Sequence, residues 1–178
     1  MMGKTGGPVM PEALADQVIQ KIDQVAELYH RLILIVAPAG AGKTAALQEV
    51  RKRTGAPLIN VNLELSRRLL DLTERQRALQ LPRLLGEIVK EAEGDKVLLD
   101  NTEILFAVSL RHDPLRLLQM LSRNKTVIAT WNGFVDKRDH ISYAAPGHPE
   151  YRRYPAHDFL FVSPYNIKTM LSPAGGER

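Results

Sequence analysis

The chain has 178 residues, of which 44% are hydrophobic and 25% charged, with a formal net charge of +4 and a pI near 9.4. That length suffices for one domain with a proper core. The lack of cysteine excludes disulfides, a thiol nucleophile and a cysteine metal centre, and no apolar run approaches the roughly 20 residues of a membrane span.

Residues 1–10 are Gly-rich and are expected to fray, leaving 11–165 as a single domain and 166–178 as a tail. They carry no signal-peptide pattern, so a cytoplasmic protein is expected. Mild basicity permits DNA contact without arguing strongly for it. Over residues 11–29 the apolar side chains Leu14, Val18, Ile22, Val25 and Leu28 recur at helical spacing. Residues 32–36 read as the first strand. The strand runs into Ala37-Pro38-Ala39-Gly40-Ala41-Gly42-Lys43-Thr44-Ala45, after which residues 43–53 read as a helix closed by Gly55.

Strand, small-residue loop and helix in this order form a P-loop, or Walker A motif. Gly40 and Gly42 let the backbone fold closely around phosphate with its N–H groups turned inward. The helix start adds unpaired N–H groups and the positive end of its dipole. Lys43 is expected to reach the β and γ phosphates and Thr44 to ligate Mg²⁺, so the expected cofactors are ATP and Mg²⁺. The loop reads phosphates and does not distinguish ATP from GTP. Ala37 stands where the first glycine of the motif is usual.

Pro57 precedes a second strand at 58–61. A long helical stretch follows, with a new helix expected at the capping-box pattern Thr73-Glu74-Arg75-Gln76, a kink or restart expected at Pro82, and an end at Gly94. Residues 96–100 form a third strand ending in Asp100. Asp113-Pro114 starts a helix running to about Arg123. Residues 126–130 and 159–162 read as strands four and five. Between them, 132–158 reads as a polar excursion with one short helix. Strands alternating with helices predict a three-layer α/β fold with a mostly parallel five-stranded sheet and the ligand at the carboxyl ends of the strands.

An apolar strand ending in Asp100 looks like a Walker B strand, whose carboxylate holds Mg²⁺ through its water shell. One strand separates it from the P-loop strand in sequence. That spacing is similar to the additional-strand P-loop ATPases, among them AAA+ and STAND modules. Such proteins often carry Glu directly after the Walker B Asp, as general base. Here that position is Asn101, and Glu103 is the candidate base if a turn at Asn101-Thr102 swings it toward the γ-phosphate; otherwise it is a surface carboxylate. At the tip of strand four, Thr130 and Asn132 are candidate sensor residues, against the alternative of plain Asn-Gly turn chemistry.

Arg123, Arg152 and Arg153 are candidates for an arginine finger acting across a subunit interface. About 16 residues follow strand five, so no helical lid is expected. The spacing of His140, His148 and His157 fits no zinc pattern, and the basic clusters Arg51-Lys52-Arg53 and Arg67-Arg68 read as solvated helix faces.

Tyr29-His30-Arg31 before the P-loop, Asn60-Val61-Asn62, Leu65-Ser66-Arg67-Arg68-Leu69-Leu70, Leu99-Asp100-Asn101, and Asp113-Pro114 through Thr130-Trp131-Asn132-Gly133 together resemble BrxF, the small P-loop protein of type III BREX bacteriophage-defence systems. The resemblance covers roughly residues 12–162. It implies an antiviral component working beside a methyltransferase, a phosphatase-like protein and a helicase. The function expected is therefore ATP binding and hydrolysis by a homo-oligomeric defence module. The alternatives are a nucleotide-gated interaction module without turnover, which Asn101 favours, and a small-molecule kinase using Arg138, Arg152 and Arg153.

Overall fold

Five strands run parallel in one sheet, so their carboxyl ends share one edge of it. The structure is a computed structural model that describes residues 11–164; the expected frayed N-terminus and the C-terminal tail lie outside the described residues. In chain order the elements are α1 (Pro11–Val25), β1 (Leu32–Ala37), α2 (Lys43–Thr54), β2 (Leu58–Asn60), α3 (Val61–Leu69), α4 (Glu74–Glu91), β3 (Lys96–Asp100), two 3₁₀ turns (Thr102–Phe106 and Val108–Leu110), α5 (Pro114–Leu121), β4 (Thr126–Val135), β5 (His140–Tyr143), β6 (Arg152–Pro155) and β7 (Leu160–Val162). The parallel strands lie in the order β2-β3-β4-β1-β7. β4 thus sits between the P-loop strand β1 and the Asp100 strand β3.

All six residues of β1 are buried, because helices cover both faces of the sheet. Successive side chains point to opposite sides. Leu32, Leu34 and Val36 join the core formed with α3, α4 and α5, whereas Ile33 and Ile35 join the core formed with α1 and α2. The three layers follow from this double-sided burial.

Several boundaries differ from the sequence reading for local reasons. β2 stops at Asn60, because the Asn60 Oδ1 accepts the Leu63 N–H at 3.0 Å and caps α3. The capping box at Thr73 has both arms: Gln76 N–H to Thr73 Oγ1 at 3.2 Å and Thr73 N–H to Gln76 Oε1 at 2.9 Å. Pro82 does not restart the helix; α4 runs unbroken from Glu74 to Glu91. A proline lacks the N–H that would satisfy the carbonyl four residues back. Here that carbonyl, of Ala78, lies 2.6 Å from His112 Nε2, so a side chain from the next segment replaces the missing donor.

The excursion expected to hold a short helix is instead a β-hairpin. β4 continues beyond the parallel sheet, and its residues Gly133, Phe134 and Val135 pair antiparallel with Tyr143, Ser142 and Ile141 of β5, which pairs in turn with β6. Inward Ile141 and Tyr143 alternate with outward His140 and Ser142, the period of a strand and not a helix. Gly133 is required at this crossing, since a Cβ there would lie 1.7 Å from the Ser142 carbonyl oxygen. The hairpin is anchored by Trp131, whose Nε1–H donates to the Ser142 carbonyl at 3.1 Å and whose ring meets those of Phe106, Tyr143 and Tyr154 edge-on. At its open end Arg153 donates twice to Asp136 Oδ2, at 3.1 and 2.7 Å. Burial pushes the Asp136 carboxyl upward, but Arg153 and the backbone N–H groups of His140 and Arg138 outweigh it and bring the pKa down to about 2.

Candidate functional site

β1 ends at Ala37, the last residue paired with β4. The chain leaves the sheet through Pro38 and Ala39 and enters α2 at Lys43. Gly40 (φ 77°) and Gly42 (φ 88°) take left-handed backbone conformations that L side chains rarely adopt. These two turns wrap the loop around the N-terminus of α2, where no side chain caps the first N–H groups. A helix of 12 residues with an uncapped start and a loop of small residues around it forms an anion cradle.

Lys43 is buried at 6% exposure, and its Nζ donates to the carbonyls of Ala37 at 2.8 Å and Pro38 at 2.7 Å. Desolvation lowers its pKa, opposed by the charges of Glu103 and Asp100. The ammonium therefore sits in a site whose formal negative charge comes from two carboxylates across the sheet. Thr44 and Ala45 follow on the exposed start of α2.

Asp100 ends β3 and is 8% exposed. Its Oδ1 accepts the Thr130 hydroxyl at 3.0 Å and the Asn101 N–H at 2.9 Å. These bonds fix the carboxylate and leave Oδ2 without a donor among the described residues. Asn101 has a left-handed backbone (φ 53°), which only a few residue types adopt readily. The reversal feeds directly into the first 3₁₀ turn and carries Glu103 back over the strand ends. Glu103 Oε1 accepts the Asn132 Nδ2–H at 2.6 Å.

One cleft of about 490 Å³ collects these groups: Ala39, Gly40, Gly42, Lys43, Thr44, Ala45, Asp100, Asn101, Glu103 and Asn132 line it. Ala37 and Pro38 stand beneath it as the carbonyl partners of Lys43, and Ala41 N–H bonds back to the Pro38 carbonyl at 3.3 Å. Thr130 does not face the cleft. It is 1% exposed and lies behind Asp100, and its carbonyl accepts the Thr102 hydroxyl at 2.6 Å. Of the two sensor candidates, Asn132 alone reaches the cleft.

Two contributors were missed by sequence reasoning. Gln48 lines the cleft one helical turn after Thr44, a spacing that could have marked it. Thr102 ties the Asp100–Glu103 turn to β4, a cross-strand contact with no signal in the chain. Among the described residues no arginine lines the cleft. Arg123 precedes Thr126, which pairs with Lys96 at the amino end of the sheet, so it stands at the opposite edge from the loop. Its guanidinium lies 5.4 Å from the Tyr29 ring centre. Arg153 is committed to Asp136, and Arg152 Nη1 donates to the Tyr151 carbonyl at 3.2 Å. His140, His148 and His157 form no metal cluster; among the described residues there is no group of three His, Cys, Asp or Glu side chains placed to hold an ion.

The P-loop lies at the carboxyl end of β1, Asp100 at the carboxyl end of β3, and β4 is inserted between those strands. This is a P-loop NTPase fold of the additional-strand class. No protein-family model matches the sequence, and no curated protein matches it. Among solved structures, the chain is similar to PCH-2 of C. elegans, with 20% identity and a TM-score of 0.36 over 71% of this chain and 37% of that one. It is likewise similar to AMPPCP-bound DnaA from Aquifex aeolicus, with 16% identity and a TM-score of 0.35 over 65% of this chain and 36% of that one. The chain thus matches little more than a third of the length of either. The fold assignment rests on strand order and on where the loop leaves the sheet. No helix among the described residues is long and apolar enough to cross a membrane.

The donor set fits a magnesium nucleotide. The cradle offers N–H groups and an ammonium to phosphate, while the Thr44 hydroxyl and the free Oδ2 of Asp100 offer hard oxygen to a cation. Both sides open onto the same cleft.

Proposed function

We propose that this chain binds ATP with Mg²⁺ and hydrolyses it, as a homo-oligomeric component of a bacterial BREX phage-defence system. The observation that carries the nucleotide part is the convergence of Lys43, Thr44, Asp100, Glu103 and Asn132 on one cleft from three separate segments of the chain. The defence part is supported by the resemblance to BrxF, with a methyltransferase, a phosphatase-like protein and a helicase as the partners that resemblance implies.

Each residue has a physical task. Lys43 exchanges the Ala37 and Pro38 carbonyls for phosphate oxygens, a charge-assisted contact in place of a neutral one. Thr44 and Asp100 would hold the cation. Bound there, Mg²⁺ supplies neutralisation of charge on the phosphates. Thr130 positions Asp100. Glu103 accepts the proton of the attacking water, and Asn132 orients that carboxylate.

The test is phosphate release by the wild type and by Lys43→Ala. Loss of the ammonium is expected to lower the rate by about 100-fold or more; equal rates would remove these residues from the reaction.

A second reading, nucleotide-gated interaction without turnover, is favoured by the contact between Asn132 and Glu103, which occupies the candidate base. Tight ATP binding with no phosphate release in the presence of DNA and the partner proteins would select it.

A further inference from the structure

A second recess, of about 310 Å³, opens between Pro38 and Ala39 of the P-loop and the hairpin β5–β6. It shares Ala39 and Asn132 with the nucleotide cleft, and its other wall carries Phe134, Tyr143 and Glu150.

Tyr143 is the unusual member. Its ring is stacked on Phe106 at 3.5 Å between centroids and edge-on to Trp131, and the residue is only 9% exposed. Its hydroxyl has no hydrogen-bond partner among the described residues. The oxygen is not enclosed, since no buried side-chain N or O atom among the described residues lacks a partner; Tyr143 lines the recess. Burial and the carboxylates of Glu150 and Glu103 keep the phenol protonated, its pKa pushed up to about 12. Glu150 is half-buried, and its carboxylate has no ion-pair partner among the described residues. Asn132 spends its Nδ2 on Glu103, so its Oδ1 remains an open acceptor. His148 Nδ1 accepts the Glu150 N–H at 3.1 Å.

The wall is therefore rich in acceptors and carries a carboxylate, and no lysine or arginine lines it among the described residues. Phe134, 53% exposed, adds a flat aromatic face. A metal ion lacks the three clustered ligands it would need. An ammonium would satisfy the charge and is attracted to a ring face, but it has only three donors and no plane to stack on that face. A guanidinium uses all of it, because it is planar, carries five donors and stacks on aromatic faces.

We propose that this recess binds a guanidinium group, with Glu150 as the counter-charge, the Tyr143 and Asn132 oxygens as acceptors and Phe134 as the stacking face. The inference stands on the recess itself and does not require nucleotide in the neighbouring cleft.

Trp131 is the single tryptophan and touches Tyr143, so its fluorescence reports occupancy. Titration of the full chain with agmatine is expected to saturate, and titrations with neutral butylurea and with putrescine, which has an ammonium in place of the guanidinium, are not. Glu150→Gln and Tyr143→Phe are each expected to raise the agmatine Kd about tenfold with an unchanged melting temperature. A parallel titration compares an arginine-containing peptide with its citrulline counterpart. Tighter binding of the arginine peptide than of agmatine supports the site and assigns it to a protein-borne side chain; the reverse order supports it and assigns a free small molecule. Equal responses to agmatine and to butylurea or putrescine, or wild-type agmatine affinity in both folded variants, would overturn the proposal. Lys43→Ala keeps the two readings apart, since it is expected to lose nucleotide binding and retain the agmatine Kd.

Discussion

The Lys43 ammonium is bound by carbonyls of its own loop at 2.7 and 2.8 Å, so phosphate competes with an existing partner and not with bulk water. The adjacent carboxylate, Asp100, is equally pre-positioned, through the Thr130 hydroxyl. Thr130→Val removes that donor with little change of shape. We expect the Mg²⁺ affinity read from phosphate release to fall about tenfold or more, as for loss of other outer-shell partners of metal ligands. Unchanged Mg²⁺ dependence in a folded variant would mean that Asp100 is not a cation ligand. The sequence already held the residue types of this cleft, because a P-loop and a strand ending in aspartate are local patterns. It did not separate Thr130 from Asn132. Both lie on one face of β4, two residues apart; Thr130 stops beneath the Asp100 carboxylate, and Asn132, one repeat further along the strand, reaches Glu103 and the cleft.

At the scale of elements, α4 illustrates how a local rule is overridden. Pro82 should break the helix, yet His112, 34 positions from the carbonyl it serves, contacts the orphaned Ala78 oxygen. His112→Ala is expected to destabilise the protein by about 1–3 kcal/mol, the cost of an unsatisfied backbone group, as measured by urea unfolding. Restoring the N–H with Pro82→Ala is expected to erase most of that loss in the double variant, and additive losses would exclude the compensation. The hairpin shows the reverse situation. Its strands are short and polar on one side, so composition suggested an irregular excursion. The alternating Ile141 and Tyr143 were legible, but their partner, the extension of β4 beyond Asn132, became visible only in the sheet.

For the whole molecule, the sheet order brings Asp100 next to the P-loop strand's neighbour and leaves the cleft with a single cation among its lining residues, Lys43. Charge that develops on a transferring phosphoryl group needs more than one positive partner. In the proposed oligomer, a cation from another molecule would act there beside Mg²⁺. Sedimentation velocity with ATP and Mg²⁺ is expected to show oligomers; a single monomeric species would remove this part of the proposal.

The sequence by itself determined the element alternation, the phosphate cradle and the identity of the acidic strand, because helix periodicity, glycine conformation and capping act over a few residues. Tertiary structure alone decided that Glu103 turns back over Asp100 through a left-handed Asn101, that Thr130 is buried behind that carboxylate, and that a hairpin walls a second recess beside the loop. Those facts depend on contacts between segments about 30 positions or more apart, and no local preference encodes which distant side chain arrives to make them.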